Sequence, residues 1–452
     1  MTSPRSLHAA QSPRSPKRVL VMGSGGREHA LAWALSRDPG VERIIVAPGN
    51  AGMKDVATIR PAAASDDRMA RIARELEADL VVVGPEGPLV AGVADHLVRH
   101  GIPVFGPGRE AARLEGSKAF CRDVAASAGV PMAEGAAFED DESGAISFSR
   151  KLGAPVVIKA DGLAGGKGVT VCATLAEAEA SIRACRPRFG MAARRIVVER
   201  AISGREASVI AITDGASLLA LPAARDHKRL GDDDSGPNTG GMGVYSPLPD
   251  LTDVDAAALM ERIHRPILSE LSRRGIRYSG ALYAGLMLTE EGPHLLECNV
   301  RFGDPETQVL LPRIAAALAP LLLGAANGRL ARAAAEASLV DGRIPGYGVA
   351  VGVVLASAGY PDEPRLGDPI GMADRPAAEG VLTFWSGVRR SQGTLVTNGG
   401  RVATIVGRGD TLDAAAAAAY RAADAVDFPG RQMRHDIGRV GSFAAGAASG
   451  AP

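Results

Sequence analysis

The chain has 452 residues, 46% of them hydrophobic and 23% charged, which is the composition of a soluble globular protein long enough for about three domains. Its 51 basic and 51 acidic residues cancel and only 4% of residues are aromatic, which argues against nucleic acid or an anionic membrane as the main partner. The cysteines (Cys121, Cys172, Cys185, Cys298) are scattered without a CxxC pair, so they read as reduced thiols rather than a disulfide frame or zinc site. No apolar run reaches membrane-spanning length; the longest candidate, 318–326, is short and contains Pro320.

Residues 1–17 carry Pro4, Pro13 and Pro16, several Ser and Arg, and no acidic group, and they read as a disordered extension, with a transit peptide as the alternative. From 18 to 107, short β-rich runs (19–22, 43–47, 80–83, 103–105) alternate with helical patterns such as 27–37 and 66–77. That alternation predicts a parallel sheet wrapped by helices. The loops at its strand ends read GSGG, APGN, GPEGP and FGPG, and ligands of open α/β sheets bind at those carboxyl ends.

The first loop opens GSGGREHA. Against the dinucleotide fingerprint GxGxxG, Gly23 and Gly25 fit, but the third place falls on Glu28. The next strand ends in Ala47-Pro48-Gly49-Asn50, with no acid to hold a ribose, so NAD is disfavoured. The backbone amides and helix dipole still suit an anion, with Arg27 and His29 as further donors. A turn that needs glycine only for packing is the plain alternative.

After 115 the pattern becomes α+β. A helix over 117–128 precedes strands over 155–160 and 169–173, followed by runs at 195–199 and 207–212 and a long polar segment, 225–243. A hairpin over 281–288 and 294–300 comes next. A last module starts near Gly346, with strands over 347–356 and 401–406 and an alanine-rich helix over 412–425. The expected division is an extension at 1–17, an α/β domain at 18–115, a central domain at 116–340 with a subdomain at about 131–210, a C-terminal domain at 341–440 and a tail at 441–452. No solenoid period is present.

Three further stretches carry chemistry. In VVIKADGLAGGKGVTV, Lys159 ends one strand, 161–168 form a loop and a second strand follows. A Walker A loop would need glycine at Asp161, Ser or Thr at Gly168 and a helix afterwards, so this is a glycine-rich hairpin flap. Such hairpins are common; Lys159 and Lys167 tilt this one toward phosphate. In LLECNVRFGDPETQ, Glu297 and Asn299 are two apart on a strand and share a face. A carboxylate and an amide carbonyl are hard oxygen ligands, suited to Mg²⁺ bridging phosphates and not to zinc. Cys298 and Val300 face the core, and Arg301 stands where it can fork onto a carboxylate or phosphate. In ARDHKRLGDDDSGPNTGGMG, Asp226, His227, Lys228 and Arg229 crowd both signs of charge, yet by composition alone the segment reads as a mobile surface loop. His96, His100 and His264 lie on helical patterns and are expected in solvent.

Taken in order, GSGGREHA, APGNAGM, GPEGPL, LEGSKAF, IKADGLAGGKGV, DHKRLGDDDSGPNTGGMG, ECNVRFGDPETQ and VTNGGRV resemble the phosphoribosylamine–glycine ligases, also called glycinamide ribonucleotide synthetases. The resemblance runs from about Arg18 to Gly438. It implies an ATP-grasp architecture, α/β and α+β, with an N-terminal parallel α/β domain and a small C-terminal β-rich domain. It implies ATP as co-substrate, Mg²⁺ or Mn²⁺ on Glu297 and Asn299, and glycine and 5-phosphoribosylamine as substrates, in a monomeric cytoplasmic enzyme of purine biosynthesis without nucleic-acid or membrane partners.

For ATP the implied contacts are Lys118, Lys159, the loop residues Gly162, Gly165, Gly166, Lys167 and Gly168, then Glu199 and Ile202 at the adenine hinge and Glu206 at the ribose. For the other substrates they are Gly25, Gly26, Arg27, Asn50, Glu86, Asp226, His227, Lys228 and Arg301. Arg301, Lys159 and Asp226 form the implied catalytic set. The chain departs from the family at Gly165, where alanine is frequent and the flap is expected to be looser, and at Arg200 and Arg205, which replace residues that are often acidic. Gly285 stands where other ATP-grasp branches place an acid, so no third metal ligand is assigned. A carboxylase or formyl transferase of the same superfamily lacks the DHKR…GPNTGGMG segment. A dehydrogenase built on the first domain and a non-catalytic nucleotide module are the rivals from other classes.

Overall fold

The computed structural model describes residues 15–61, 66–339, 341–372 and 379–439; most of the expected extension 1–17 and the whole tail 441–452 lie outside them. Strands Arg18–Gly23, Arg43–Pro48, Thr58–Ile59, Leu80–Val83 and Val104–Phe105 form a parallel sheet in the spatial order third, second, first, fourth, fifth. The apolar runs are buried on both faces, as a helix-covered parallel sheet requires. The strand order reverses between Arg18–Gly23 and Leu80–Val83, so the loops that follow Gly23 and Val83 flank the switch point.

Two antiparallel sheets form the centre. In the first, Gly135–Glu139, Arg195–Arg200, Val156–Ala160 and Val169–Cys172 lie side by side in that order. Helices Glu142–Leu152 and Leu175–Phe189 cover its Ile158 face through Ile146, Ile182 and Cys185. Lys159, one residue on, therefore points to the opposite face. In the second sheet the order is Leu218–Ala220, Arg205–Thr213, Gly280–Thr289 and Gly292–Asn299. The long helix Asp253–Arg273 packs Met260, Ile263 and Ile267 beneath it, beside Val209 and Leu282.

Of the polar segment 225–243, residues 232–237 are exposed as its composition suggests, but the rest is not a surface loop. Arg225–Asp226 and Gly243–Ser246 begin a third sheet, which continues through Val349–Ala356, Arg401–Gly409 and Val381–Trp385. Between them, Arg229–Gly231 and Ser235–Asn238 form a small hairpin. Backbone hydrogen bonding and the burial of His227 and Met242 order this stretch despite its scarcity of apolar residues. The segment that precedes the central hairpin is thus built into the C-terminal sheet.

His264 also departs from expectation. It is 0% exposed, on the inner side of Asp253–Arg273, where Nε2 donates to the Val209 carbonyl at 3.2 Å. Burial lowers its pKa to about 4. An unfolded imidazole takes its proton near pH 6.5, so between there and about pH 4 the unfolded state binds more protons and this group's contribution to stability falls as pH falls. Thermal unfolding of the protein and of His264→Gln, compared from pH 7 to 4.5, isolates that contribution. The parent is expected to lose more stability than the variant over this range, with a limiting difference of about 3 kcal/mol. Parallel pH profiles contradict the assignment.

Candidate active site

The cleft lies between the two central antiparallel sheets. Its decisive local feature is a bulge: Glu297 pairs with Gly285 and Leu295 with Leu286, so Leu296 is an extra residue without a partner. Pro293 and Leu295 are buried before the bulge, and Cys298 and Val300 after it. The alternation slips by one, and Glu297 and Asn299 turn into the cleft. A Cβ at Gly285 would lie 3.2 Å from Glu297 Cγ, so the small residue opposite makes room for that carboxylate.

Lysines converge on Glu297. Lys228 Nζ lies 3.7 Å from Glu297 Oε1 and 3.2 Å from Glu206 Oε2. Lys159 Nζ donates to the carbonyl of the bulged Leu296 at 3.1 Å and pairs with Glu199 Oε2 at 2.6 Å. Lys118 donates to the Gly162 carbonyl at 3.4 Å. Burial alone would raise the pKa of Glu297, but Lys228, Lys159, Lys118 and Arg301 outweigh it and keep the carboxylate ionised. Burial lowers the pKa of Lys118, against the pull of Glu297. Lys228 is held well above the ordinary lysine value because Glu206, Asp226 and Glu297 overcome its desolvation. Asp226 is pushed up to about 8 by burial and by Glu306, Glu206 and Glu297, against Lys228.

Glu199 is buried and takes a second cation, Arg122, at 2.7 Å. Ile202 is half-buried in the connection beside it. The flap is rooted by Asp161, whose carboxylate accepts from Ser117 Oγ at 2.9 Å and from the Ala119 amide at 2.7 Å, at the start of helix Lys118–Ser127. Gly165 and Gly166 have φ of +58° and +79°, a region that favours glycine. A Cβ at Gly165 would meet open space, so the demand there is conformational. Gly162 and Gly168 are restricted instead by Ala192 and Ala164. Beyond them, Lys167 is 3.9 Å from Asp362 of the C-terminal region.

The remaining expected residues meet at the edge of the N-terminal sheet. Arg301 Nη2 is 2.9 Å from Glu115 and its Nε 3.3 Å from Glu86, so its fork falls on two carboxylates of the protein itself. Arg27 pairs with Glu28 at 2.5 Å and donates to the Phe302 carbonyl at 3.2 Å. Glu28 Oε2 accepts from the Gly25 amide at 2.6 Å, and a Cβ at Gly23 or Gly84 would lie 2.6 or 2.0 Å from its side chain. The crevice where a dinucleotide would set its pyrophosphate is therefore filled by this carboxylate, and the amide at Gly25 is already engaged. Gly26 is closed in by Ser386 and Gln308. Asn50 donates to the carbonyls of Ser24 and Trp385 at 2.7 and 2.8 Å, joining the first loop to the C-terminal sheet. His29, expected as an anion donor, accepts from the Trp385 amide at 2.9 Å and is kept neutral, its pKa lowered to about 4 by burial. His227 is buried just past strand Arg225–Asp226, with Nδ1 3.8 Å from Asp234.

Sequence reasoning assigned no role to Glu28, Glu115, Asp304, Glu306 or Arg401. Asp304 binds Arg401 at 3.0 Å and Gln308 at 2.7 Å, and Glu306 accepts from Ser208 Oγ at 2.9 Å. The available signal was carboxylates inside apolar stretches, such as Asp304 and Glu306 just after Phe302, because buried acids need partners.

Glu297 and Asn299 offer two hard oxygens on one side of the cleft. Among the described residues no group of three His, Cys, Asp or Glu is arranged to hold a metal. Two oxygen donors with room for waters and phosphate oxygens fit Mg²⁺ or Mn²⁺ and do not fit a closed zinc cage.

Three family models match the chain: the phosphoribosylglycinamide synthetase N domain over residues 17–115, its ATP-grasp (A) domain over 116–307 and its C domain over 350–440. The phosphoribosylamine–glycine ligase of Mesorhizobium japonicum is 45% identical over 426 residues, covering 93% of this chain and 97% of the relative. That of Caulobacter vibrioides is 45% identical over 423 residues, covering 93% and 97%. The crystal structure of the phosphoribosylamine–glycine ligase from Thermotoga maritima superposes with a TM-score of 0.77 at 35% identity, covering 93% of this chain and 99% of that one. A biotin carboxylase domain from Hydrogenobacter thermophilus, solved with MgADP and bicarbonate, shares the fold at TM-score 0.70 and 18% identity, covering 93% and 92%.

The filled crevice yields a test. Gly84→Ala forces a Cβ into Glu28 and is expected to lower stability by about 1–3 kcal/mol, read by thermal unfolding. Gly87→Ala, whose Cβ meets open space, should stay within about 0.5 kcal/mol of the parent. Equal behaviour of the two variants contradicts the packing described.

Proposed function

We propose a reaction from one premise: the chain belongs to the phosphoribosylglycinamide synthetase family, the phosphoribosylamine–glycine ligases. It joins glycine to 5-phosphoribosylamine at the expense of ATP, giving glycinamide ribonucleotide, ADP and phosphate, in purine biosynthesis. The observation that carries this reading is the convergence of Lys118, Lys159 and Lys228 on the Glu297 carboxylate beneath a glycine flap. Fixed cations around a paired carboxylate and amide receive a metal-bound triphosphate and have no evident use in hydride transfer.

In the first step the glycine carboxylate attacks the γ-phosphorus of ATP, the bond to the β-bridging oxygen breaks, and glycyl phosphate and ADP form. The amine of phosphoribosylamine then attacks the acyl carbon; phosphate leaves and the amine gives up a proton as the amide forms. No side-chain nucleophile is needed. Lys118 and Lys159 neutralise charge on the transferring group, with Lys159 already oriented by Glu199 and the Leu296 carbonyl. Glu297 and Asn299 would hold the divalent cation, Mg²⁺ or Mn²⁺, which when bound would shield phosphate charge.

The flap residues Gly162, Gly165, Gly166, Lys167 and Gly168 close over the phosphates and keep water from the acyl phosphate. Glu199, Ile202 and Glu206 face the nucleoside. Asp226, Lys228 and Arg301, braced by Glu86, position glycine and the amine, while Gly25, Gly26, Arg27 and Asn50 shape the neighbouring wall. A monomer in the cytoplasm is the simplest setting; no described helix is long and apolar enough to cross a membrane.

The test is an ADP-release assay with freshly made phosphoribosylamine, omitting each substrate in turn. Release is expected to require glycine; turnover without it, or equally with alanine, refutes the substrate assignment. Glu297→Gln should cost about 100-fold or more in Mg²⁺-dependent turnover with the thermal midpoint little changed. Retained activity refutes the metal assignment.

A further inference from the structure

The proposed reaction places Asp226 and Lys228 at the cleft but does not say what fixes the strand that carries them. Behind it lies Arg434, 0% exposed and the largest fully buried side chain among the described residues. Its guanidinium grips Asp436 with two bonds, Nε to Oδ1 at 2.8 Å and Nη2 to Oδ2 at 2.6 Å. Nη1 reaches across to Asp234 Oδ1 at 2.6 Å and to the Arg229 carbonyl at 3.3 Å. The contact is reciprocated from both sides. The Asp233 amide donates to Asp436 at 3.0 Å, and the His435 amide donates to Asp232 at 2.6 Å. Next along the chain, Ile437 packs on Gly243, where a Cβ would lie 2.4 Å from it. Gly243 begins the strand that pairs with Arg225–Asp226.

The gripped turn is strained. Asp233 and Asp234 have φ of +54° and +52°, a left-handed conformation that costs a side-chain-bearing residue and persists only where its surroundings impose it. Here the surroundings are Arg434 and Asp436. From Asp234 the contact continues to His227 Nδ1 at 3.8 Å. His227 is fixed in turn by its backbone bonds to Gly243 and Met242. Successive side chains of an extended strand point to opposite sides. His227 lies just past strand Arg225–Asp226 and its two backbone bonds carry the pairing one residue further, so seating it at the back sets Asp226 and Lys228 at the front, where Lys228 meets Glu206 and Glu297.

The geometry points to Arg434 as a positioning residue for the reaction: through Asp234 and Asp436 it locks the turn at 232–234 and thereby holds Asp226 and Lys228 in register with Glu297. This rests on the reaction proposed above and extends it, because it gives the last described segment of the C-terminal domain, 434–437, a part in turnover. Lysine cannot replace the guanidinium, since a single ammonium cannot form the fork on Asp436 and the bridge to Asp234 together.

Asp234→Asn and Arg434→Lys, made in the full chain, test it. Asp234 is half exposed, so Asp234→Asn leaves no isolated buried charge in its own place and keeps the test readable if Arg434→Lys does not fold. Measured are the thermal midpoint, direct ATP binding by calorimetry, and kcat and KM in the glycine-dependent ADP-release assay. Displacing groups that orient reactants is expected to lower kcat by about 10–100-fold. ATP affinity and stoichiometry should stay within about twofold, which a general loss of fold would not leave intact. Asp234→Asn with kcat within about twofold of the parent overturns the inference, as does a loss of kcat that merely follows loss of ATP-binding stoichiometry. A parent protein without glycine-dependent ADP release instead overturns the underlying reaction, so the two failures are distinguishable.

Discussion

Charge taken out of water must be matched, and this constraint organises the whole molecule. Glu297 is stabilised by a ring of lysines, Glu115 by Arg301, Glu28 by Arg27, Glu199 by Lys159 and Arg122, and Asp436 by Arg434. Several of these pairs join segments far apart in the chain, so the polar groups fix how the sheets sit against one another as well as supplying the chemistry. An apolar core alone would leave more freedom in that arrangement. The same pairing holds the lysines of the cleft in place around Glu297 before any substrate arrives, which is preorganisation in the electrostatic sense.

The cleft is correspondingly a composite. The flap side contributes Lys159 and Glu199, the bulged strand Glu297 and Asn299, and the polar segment Asp226 and Lys228. The polar segment belongs by hydrogen bonding to the third sheet, which also carries Arg401 and the Trp385 edge against the first glycine loop. Catalytic groups that rest on a continuous sheet can be held more closely than groups on a free loop. The flap, with Gly165 and Gly166 in left-handed conformations and little packed around Gly165, has the local features of an element that opens and closes.

Much of this is legible in the sequence. Strands over 19–22, 43–47 and 80–83 followed from apolar runs between glycine turns, and the glycine hairpin around Lys159 from its failure to match a Walker A loop. The shared face of Glu297 and Asn299 was also readable, but its direction was not. Simple alternation from Leu295 would have buried both residues, and the slip at Leu296 comes from pairing with Gly280–Thr289. His264 misled because one helical period does not reveal that a second sheet lies on its side of the helix. Glu28 misled in another way: it stands where the dinucleotide fingerprint needs its third glycine, and only the fold shows that its carboxylate fills the crevice between Gly23 and Gly84.

By itself, then, the sequence determined the kinds of elements, their order, the residues able to bind phosphate and a hard cation, and a family resemblance strong enough to imply the reaction. These properties depend on spacing within a few residues, where backbone periodicity and side-chain chemistry are sufficient. Only the tertiary structure decided which donors remain free and which are already engaged. Arg301 meets Glu115, Asn50 meets Trp385 and Arg434 meets Asp234, the last pair 200 residues apart. Such pairings are settled by how whole sheets pack and by the cost of leaving a buried charge alone, and no local pattern encodes either.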